Sequence, residues 1–178
     1  PRQLEGAYTY DQFGNALSMT IKGTNEQAEL QWQWTYDTAD NLLTEADPWG
    51  RVVSNQHDNV GNLLIRDEGN GRIWQYSYDV RGRRVSIEDP WGRVSSNRYD
   101  AAGHLVWERD FDGRETGWEY NADGRMVSAV NEWGEAMTQE YDVSGRLVRS
   151  VDFTGQERQY VYNANGQLIL PAVMDGLT

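Results

Sequence analysis

From Leu30 the chain alternates apolar with polar positions, Leu30-Gln31-Trp32-Gln33-Trp34-Thr35-Tyr36, and it does so again at Arg72-Ile73-Trp74-Gln75-Tyr76-Ser77-Tyr78. A period of two sustained over six or seven residues predicts β-strands with two unlike faces. Each such run ends in the same slot. Tyr36, His57, Tyr78, Tyr99, Tyr120, Tyr141 and Tyr162 stand 21 residues apart, and an earlier copy begins at Tyr10. A fixed period of this size means one supersecondary unit stacked on its own copies.

Two punctuation marks divide each unit. The first follows the tyrosine: Asp11 to Gly14, Asp58 to Gly61, Asp79 to Gly82, Asp100 to Gly103 and Asp142 to Gly145, with Asn121 to Gly124 and Asn163 to Gly166 as amide versions. The second lies ten residues later, as in Asp47-Pro48-Trp49-Gly50, Glu68 to Gly71, Asp89-Pro90-Trp91-Gly92, Asp110 to Gly113, Asn131 to Gly134 and Asp152 to Gly155. An Asx side chain opening a turn accepts bonds from the amides ahead of it, and glycine takes the left-handed conformation that follows. Both marks therefore predict strand reversal. The copy at Tyr36-Asp37 has Asp40 where its siblings have glycine, so that turn is expected to be strained.

Between the marks run the returning strands, aliphatic at the seventh position after the tyrosine: Leu43, Leu64, Val85, Val106, Val127 and Val148. Such regularity predicts that this position faces a core. The hairpin loop could hold two or three residues, and the choice decides which return-strand positions share the tyrosine face. The expected architecture is all-β: tandem 21-residue hairpins forming a long, curved antiparallel sheet. Residues 1–9 lead in as an N-terminal strand, 10–169 form the array, and 170–178 are a tail outside the repeat. The longer interval between Tyr10 and Tyr36 places an insertion near Lys22–Glu29.

A second period of 42 is superimposed. Trp34, Tyr76, Trp118 and Tyr160 alternate with Asn55, Asn97 and Gln139 in one slot, and Trp49, Trp91 and Trp133 occupy every second far turn. Alternating bulky and slim side chains along a sheet is one explanation. A row of Trp platforms for sugars or choline-like cations is the other.

Composition narrows the functions. Twenty-eight acidic against 16 basic side chains give a net charge of -12, a field that repels nucleic acid and anionic membranes. Eleven of those acids, Asp11, Asp37, Asp47, Asp58, Glu68, Asp79, Asp89, Asp100, Asp110, Asp142 and Asp152, open turns and need no ligand to explain them. With no cysteine, disulfides, thiolate metal sites and a cysteine nucleophile are excluded. The two histidines, His57 and His104, fill repeat slots, glycines recur singly instead of as a phosphate loop, and turn acids recur along the array instead of converging. No catalytic, cofactor-binding or metal residue is expected. No apolar run reaches membrane-spanning length.

The phrase Tyr-Asp-x-x-Gly-Arg-Leu, present as Tyr141 to Leu147 and nearly repeated from Tyr78 to Arg84, closely resembles the YD repeat of Rhs proteins, with similar repeats in the C components of ABC toxins and in teneurins. The resemblance spans Tyr8 to Ile169. It implies a segment of a hollow β-shell that encloses a C-terminal toxin, with that cargo and the remaining shell repeats as partners, in a larger exported bacterial protein. A flat sheet of about 16 strands at ~4.8 Å would be roughly 75 Å wide, so curling is expected on physical grounds too. The outermost strands would leave edges open to self-association. The family's plug and aspartate-dependent self-cleavage motif has no counterpart after Ile169, and Asp47-Pro48 and Asp89-Pro90, in phase with the repeat, are read as turns. A carbohydrate- or choline-binding aromatic module is the competing function.

Overall fold

The computed structural model describes residues 5–22 and 29–174, and every regular element among them is a strand. The chain divides into two compact units, Pro1–Val94 and Ser95–Thr178. The first holds β1 (Glu5–Tyr10), β2 (Ala16–Lys22), β3 (Glu29–Tyr36), β4 (Leu42–Ala46), β5 (Val52–His57), β6 (Leu63–Asp67), β7 (Ile73–Tyr78) and β8 (Arg84–Glu88). β9 (Val94–Tyr99) begins at the boundary. The second unit continues with β10 (Leu105–Arg109), β11 (Glu115–Tyr120), β12 (Met126–Val130), β13 (Ala136–Tyr141), β14 (Leu147–Val151), β15 (Glu157–Tyr162) and β16 (Leu168–Met174). Within each unit strand order follows the chain, in antiparallel hairpins without a crossover.

β1 takes in Tyr10, the first tyrosine of the repeat. The expected insertion lies at residues 23–28, outside the described residues, between strands that pair Lys22 with Glu29. The stretch from residue 170 begins inside β16, which pairs with β15 as far as Glu157↔Met174; residues 175–178 are outside the described residues.

The loop length is settled. Asp58 N donates to Asn62 O at 2.9 Å and Gly61 N donates back to Asp58 O at 3.1 Å, leaving three residues between the paired ends. This is a type I turn closed by a left-handed residue, which suits the right-handed twist of the flanking strands. At the far turns pairing resumes at once, as in Ala46↔Val52. At the tyrosine turns one pair forms and the register then shifts. Tyr36 pairs with Leu42 and Thr35 with Thr44, so Leu43 is a β-bulge; Val106, Val127 and Val148 are skipped in the same way.

The bulge corrects one expectation. The aliphatic seventh position is the extra residue of the return strand, and none of its copies is buried; Leu17, Leu64 and Ile169 are exposed. It covers the sheet locally instead of filling a core. Indeed the only buried hydrophobic side chains among the described residues are Val53 and Ala129. Strands touch only their chain neighbours among the described contacts, so cohesion comes from ladders, turns and cross-strand side chains.

After the bulge, Trp34 lies opposite Glu45, Tyr76 opposite Ile87 and Trp118 opposite Ala129. The alternation of β3 is visible in its exposure: Leu30, Trp32, Trp34 and Tyr36 are half-buried, while Gln31, Gln33 and Thr35 are exposed. The face carrying the repeat tyrosines also carries the buried Val53, Asn55, Ser95 and Ala129.

Candidate functional site

In both units the odd-numbered strands end at the repeat tyrosine or its histidine substitute: Tyr10, Tyr36, His57, Tyr78, Tyr99, Tyr120, Tyr141 and Tyr162. The acids and glycines singled out by the sequence lie just beyond, in the turns. Asp58 Oδ1 accepts from Val60 N at 3.0 Å and Asn62 N at 2.9 Å. The amide oxygens do the same work, Asn121 Oδ1 accepting from Asp123 N and Arg125 N at 3.0 Å each, and Asn163 Oδ1 from Asn165 N and Gln167 N at 2.9 Å each. Carboxylate and carboxamide are thus equivalent as turn caps.

The residue after the turn glycine serves both its own turn and the hairpin beyond it. Its side chain returns to the second carboxylate oxygen of its own turn: Asn15 to Asp11, Asn41 to Asp37, Asn62 to Asp58, and Arg83, His104 and Arg146 to Asp79, Asp100 and Asp142. The same side chain then leans onto the next hairpin. His104 stacks on Tyr120 at 4.6 Å, and the Arg125 and Arg146 guanidinium groups lie over Tyr141 and Tyr162 at 5.8 and 4.7 Å. It also closes over the next turn glycine. A Cβ at Gly124 would stand 2.9 Å from His104 Nε2, and one at Gly61 would stand 3.1 Å from Asn41 Oδ1. Asp40 shows how a departure is accommodated: it adopts φ 63°, the one positive φ of a non-glycine among the described residues, and its Oδ1 accepts from Asn15 Nδ2 at 2.8 Å.

At Tyr141 and Tyr162 the repeat hydroxyl binds one hairpin to another. Tyr141 Oη donates to Met126 O at 3.0 Å and Tyr162 Oη to Leu147 O at 2.9 Å, each the carbonyl just before the preceding hairpin's bulge. A bulge takes that carbonyl out of regular pairing, and the phenol restores a partner. His57 is too short for this. The equivalent carbonyl, Leu42 O, instead receives Asn55 Nδ2 at 3.1 Å, and His57 Nδ1 is buried without a hydrogen-bond partner.

At the far turns Trp49, Trp91 and Trp133 project at 76%, 66% and 75% exposure. Trp91 is flanked by Arg72 and Arg93, whose guanidinium carbons lie 5.8 and 5.6 Å from the ring, and Trp49 meets Trp32 edge to face. Asp89, only 2% exposed, accepts Arg93 Nε at 2.7 Å. One far turn departs from the expected pattern. Glu68 holds the slot, but the capping oxygens are those of Asp67, accepting from Gly69 N at 2.8 Å, and Asn70, accepting from Arg72 N at 3.1 Å. The Glu side chain is one methylene too long for the short Asx ring, and its neighbours take over.

Electrostatically these groups serve the sheet. The His104 hydrogen bond, joined by the Gly103 and His104 amides, holds Asp100 down to about 2 despite partial desolvation. Arg149 bridges Glu140 and Glu157 across three strands, at 2.6 Å to Glu140 and 2.8 and 2.9 Å to Glu157, and with Gln159 it lowers Glu157 to about 2. Among the described residues no three His, Asp or Glu side chains converge as a metal site. A shallow groove of about 470 Å³ lies between the Asp11 and Asp37 turns, bounded by Phe13, Leu17 and Tyr36. Its acids are already engaged by turn amides and by Asn15 and Asn41.

Residues 47–94 and 99–134 match the RHS Repeat family model. No curated protein sequence matches the chain. Among solved structures, a TcdB2-TccC3 crystal structure aligns over 97% of this chain and 11% of its own at 15% identity and a TM-score of 0.65. A TcdB2-TccC3-TEV structure aligns over 90% and 11% at 16% identity and 0.61, and a Tc holotoxin pore of Photorhabdus luminescens over 90% and 11% at 14% identity and 0.56. The chain therefore spans about a tenth of the length of the structures it resembles. At these identities the likeness is one of fold; residues 47–94 and 99–134 carry the RHS Repeat, and hairpins of the same build continue on both sides of them.

Proposed function

We infer that this array is a length of wall in a larger exported bacterial protein, where it joins further repeats to enclose a C-terminal toxin segment of the same protein, and that it performs no catalysis itself. The observation that carries this reading is where the polar chemistry goes. Turn acids close their own turns, the side chains after the turn glycines brace those acids and lie against the next hairpin's tyrosine, and the hydroxyls of Tyr141 and Tyr162 reach back to the preceding hairpin. Such a sheet is suited to mechanical continuity. Enclosure is tested by limited proteolysis of the parent protein. The segment downstream of the repeats is expected to resist protease while the wall is intact and to be cut once the wall is opened by denaturant; cleavage at equal rates in both states would overturn it.

The aromatic-module reading has the three exposed far-turn tryptophans in its favour. Against it, guanidinium groups already occupy Trp91 where a quaternary ammonium would sit. Titration with choline or wall glycans is expected to leave Trp fluorescence unquenched, and saturable micromolar quenching would favour the binding module.

A further inference from the structure

The chain has two Asn-Gly steps, Asn70-Gly71 and Asn165-Gly166, and the structure places them in unlike turns. We propose that Asn70 is a site of spontaneous modification, converting to aspartate and isoaspartate in the folded protein, while Asn165 is protected by its turn. The chemistry is intramolecular. The backbone nitrogen of the following residue loses its proton and adds to the asparagine Cγ, ammonia departs, and the resulting succinimide takes up one water at either carbonyl. Opening one way gives aspartate and the other gives isoaspartate, with an extra methylene in the main chain. A following glycine presents no Cβ to hinder the attack.

Whether the step proceeds depends on that nitrogen. Gly166 N–H is held by Asn163 O at 2.9 Å, as the other turn glycines are held by the carbonyl three residues before them. A proton engaged in this bond is harder to remove. Gly71 makes no such bond: its turn keeps only the Glu68 N to Arg72 O pair at 3.0 Å, and its caps go to Gly69 and Arg72.

The Asn70 side chain is also posed for attack. Its Oδ1 accepts from Arg72 N at 3.1 Å, which draws Cγ alongside the intervening Gly71 nitrogen. The same N–H donates to the oxygen on which charge develops as the nitrogen adds, a small oxyanion site. Asn70 and Gly71 are both exposed, and the space beside Gly71 is open for water and for backbone adjustment. The turn is anchored instead at Gly69, where a Cβ would collide with the Val52 carbonyl. Thus one end of the turn is fixed and the reacting end is free.

The test is ageing of the purified chain at mildly alkaline pH, native and in urea, followed by trypsin digestion and mass spectrometry. Isoaspartate is resolved chromatographically. In the native protein the peptide Asp67–Arg72 is expected to gain acid and isoaspartate forms several-fold faster than the peptide containing Asn165. In urea the two sites should converge, since both become Asn-Gly in open chain. Equal native rates at the two sites, or faster conversion at Asn165, would overturn the proposal. So would an Asn70 that is as strongly slowed by folding as Asn165.

Discussion

A glycine in this array answers to two demands, and they can be separated by substitution. Every turn needs a left-handed residue, and at Gly61, Gly124 and Gly145 a side chain of the preceding hairpin also crowds the site. Gly134 has open space around its missing Cβ, whereas Gly124 has His104, itself pinned to Asp100 at 2.9 Å. Gly134→Ala is expected to cost about 1–2 kcal/mol from backbone strain alone. Gly124→Ala should cost more, because the imidazole must leave either Asp100 or Tyr120. Equal losses of urea midpoint in the two variants would sink this account of the crowding. Gly103→Val, which forces a β-branched residue to φ 104°, is expected to cost about 1–3 kcal/mol, and unchanged thermal stability would refute the turn assignment. The tyrosine hydroxyl is a third residue-scale device: Tyr162→Phe leaves Leu147 O without its donor and should cost about 1 kcal/mol. A phenylalanine as stable as tyrosine would mean that the ring alone matters.

At the scale of the hairpin, much can be read from the pattern of residues. The Asx and glycine marks locate all the tyrosine turns, and the alternation in Leu30 to Tyr36 defines a two-faced strand, because both signals act within a few residues. What escapes is set by contact between repeats. The aliphatic seventh position looks like core when the bulge is unknown, and a bulge is a mismatch between two strands that neither strand announces by itself. The Glu68 turn is misleading in sequence because Asp67 and Asn70, to either side of the expected slot, do the capping. The strain expected at Asp40 is present as φ 63°, yet its partner, Asn15, lies 25 residues back. That pairing makes a prediction about coupling between hairpins. A double-mutant cycle on Asn15→Ala and Asp40→Gly should give an interaction energy of about 0.5 kcal/mol or more, since losing the Asp40 side chain removes both the strain and the acceptor. Additive effects would show that each hairpin carries its own turn.

For the molecule as a whole, the repeated turn acids make stability a function of pH with a definite sign. Hydrogen bonds from Asn41, Asn62 and Arg83, and the turn amides, hold Asp37, Asp58 and Asp79 below the ordinary carboxylate range. The Arg146 amide and guanidinium do so for Asp142. Asp100 and Glu157 are lowered to about 2. A group whose folded value is depressed contributes stability above its unfolded value, near 4, and loses it as pH falls through the folded value. The unfolded chain binds more protons in that window, so acid draws the equilibrium toward it. From neutrality down to pH 5 the opposite tendency operates, because protonation trims a net charge of -12 and its self-repulsion. Urea midpoints should therefore hold or rise slightly from pH 7 to 5 and then fall steeply between about pH 4 and 2. Asparagine supplies the control that the array itself contains, since Asn121 and Asn163 cap their turns with the same two amide bonds as the acids. Replacing Asp79, Asp100 and Asp142 together by asparagine should preserve the β-sheet circular dichroism and flatten the acid limb of the curve. If the triple variant keeps the full acid sensitivity of the parent, proton uptake at the turns is not what unfolds the sheet, and the loss must be sought at the cross-strand Arg149 cluster instead.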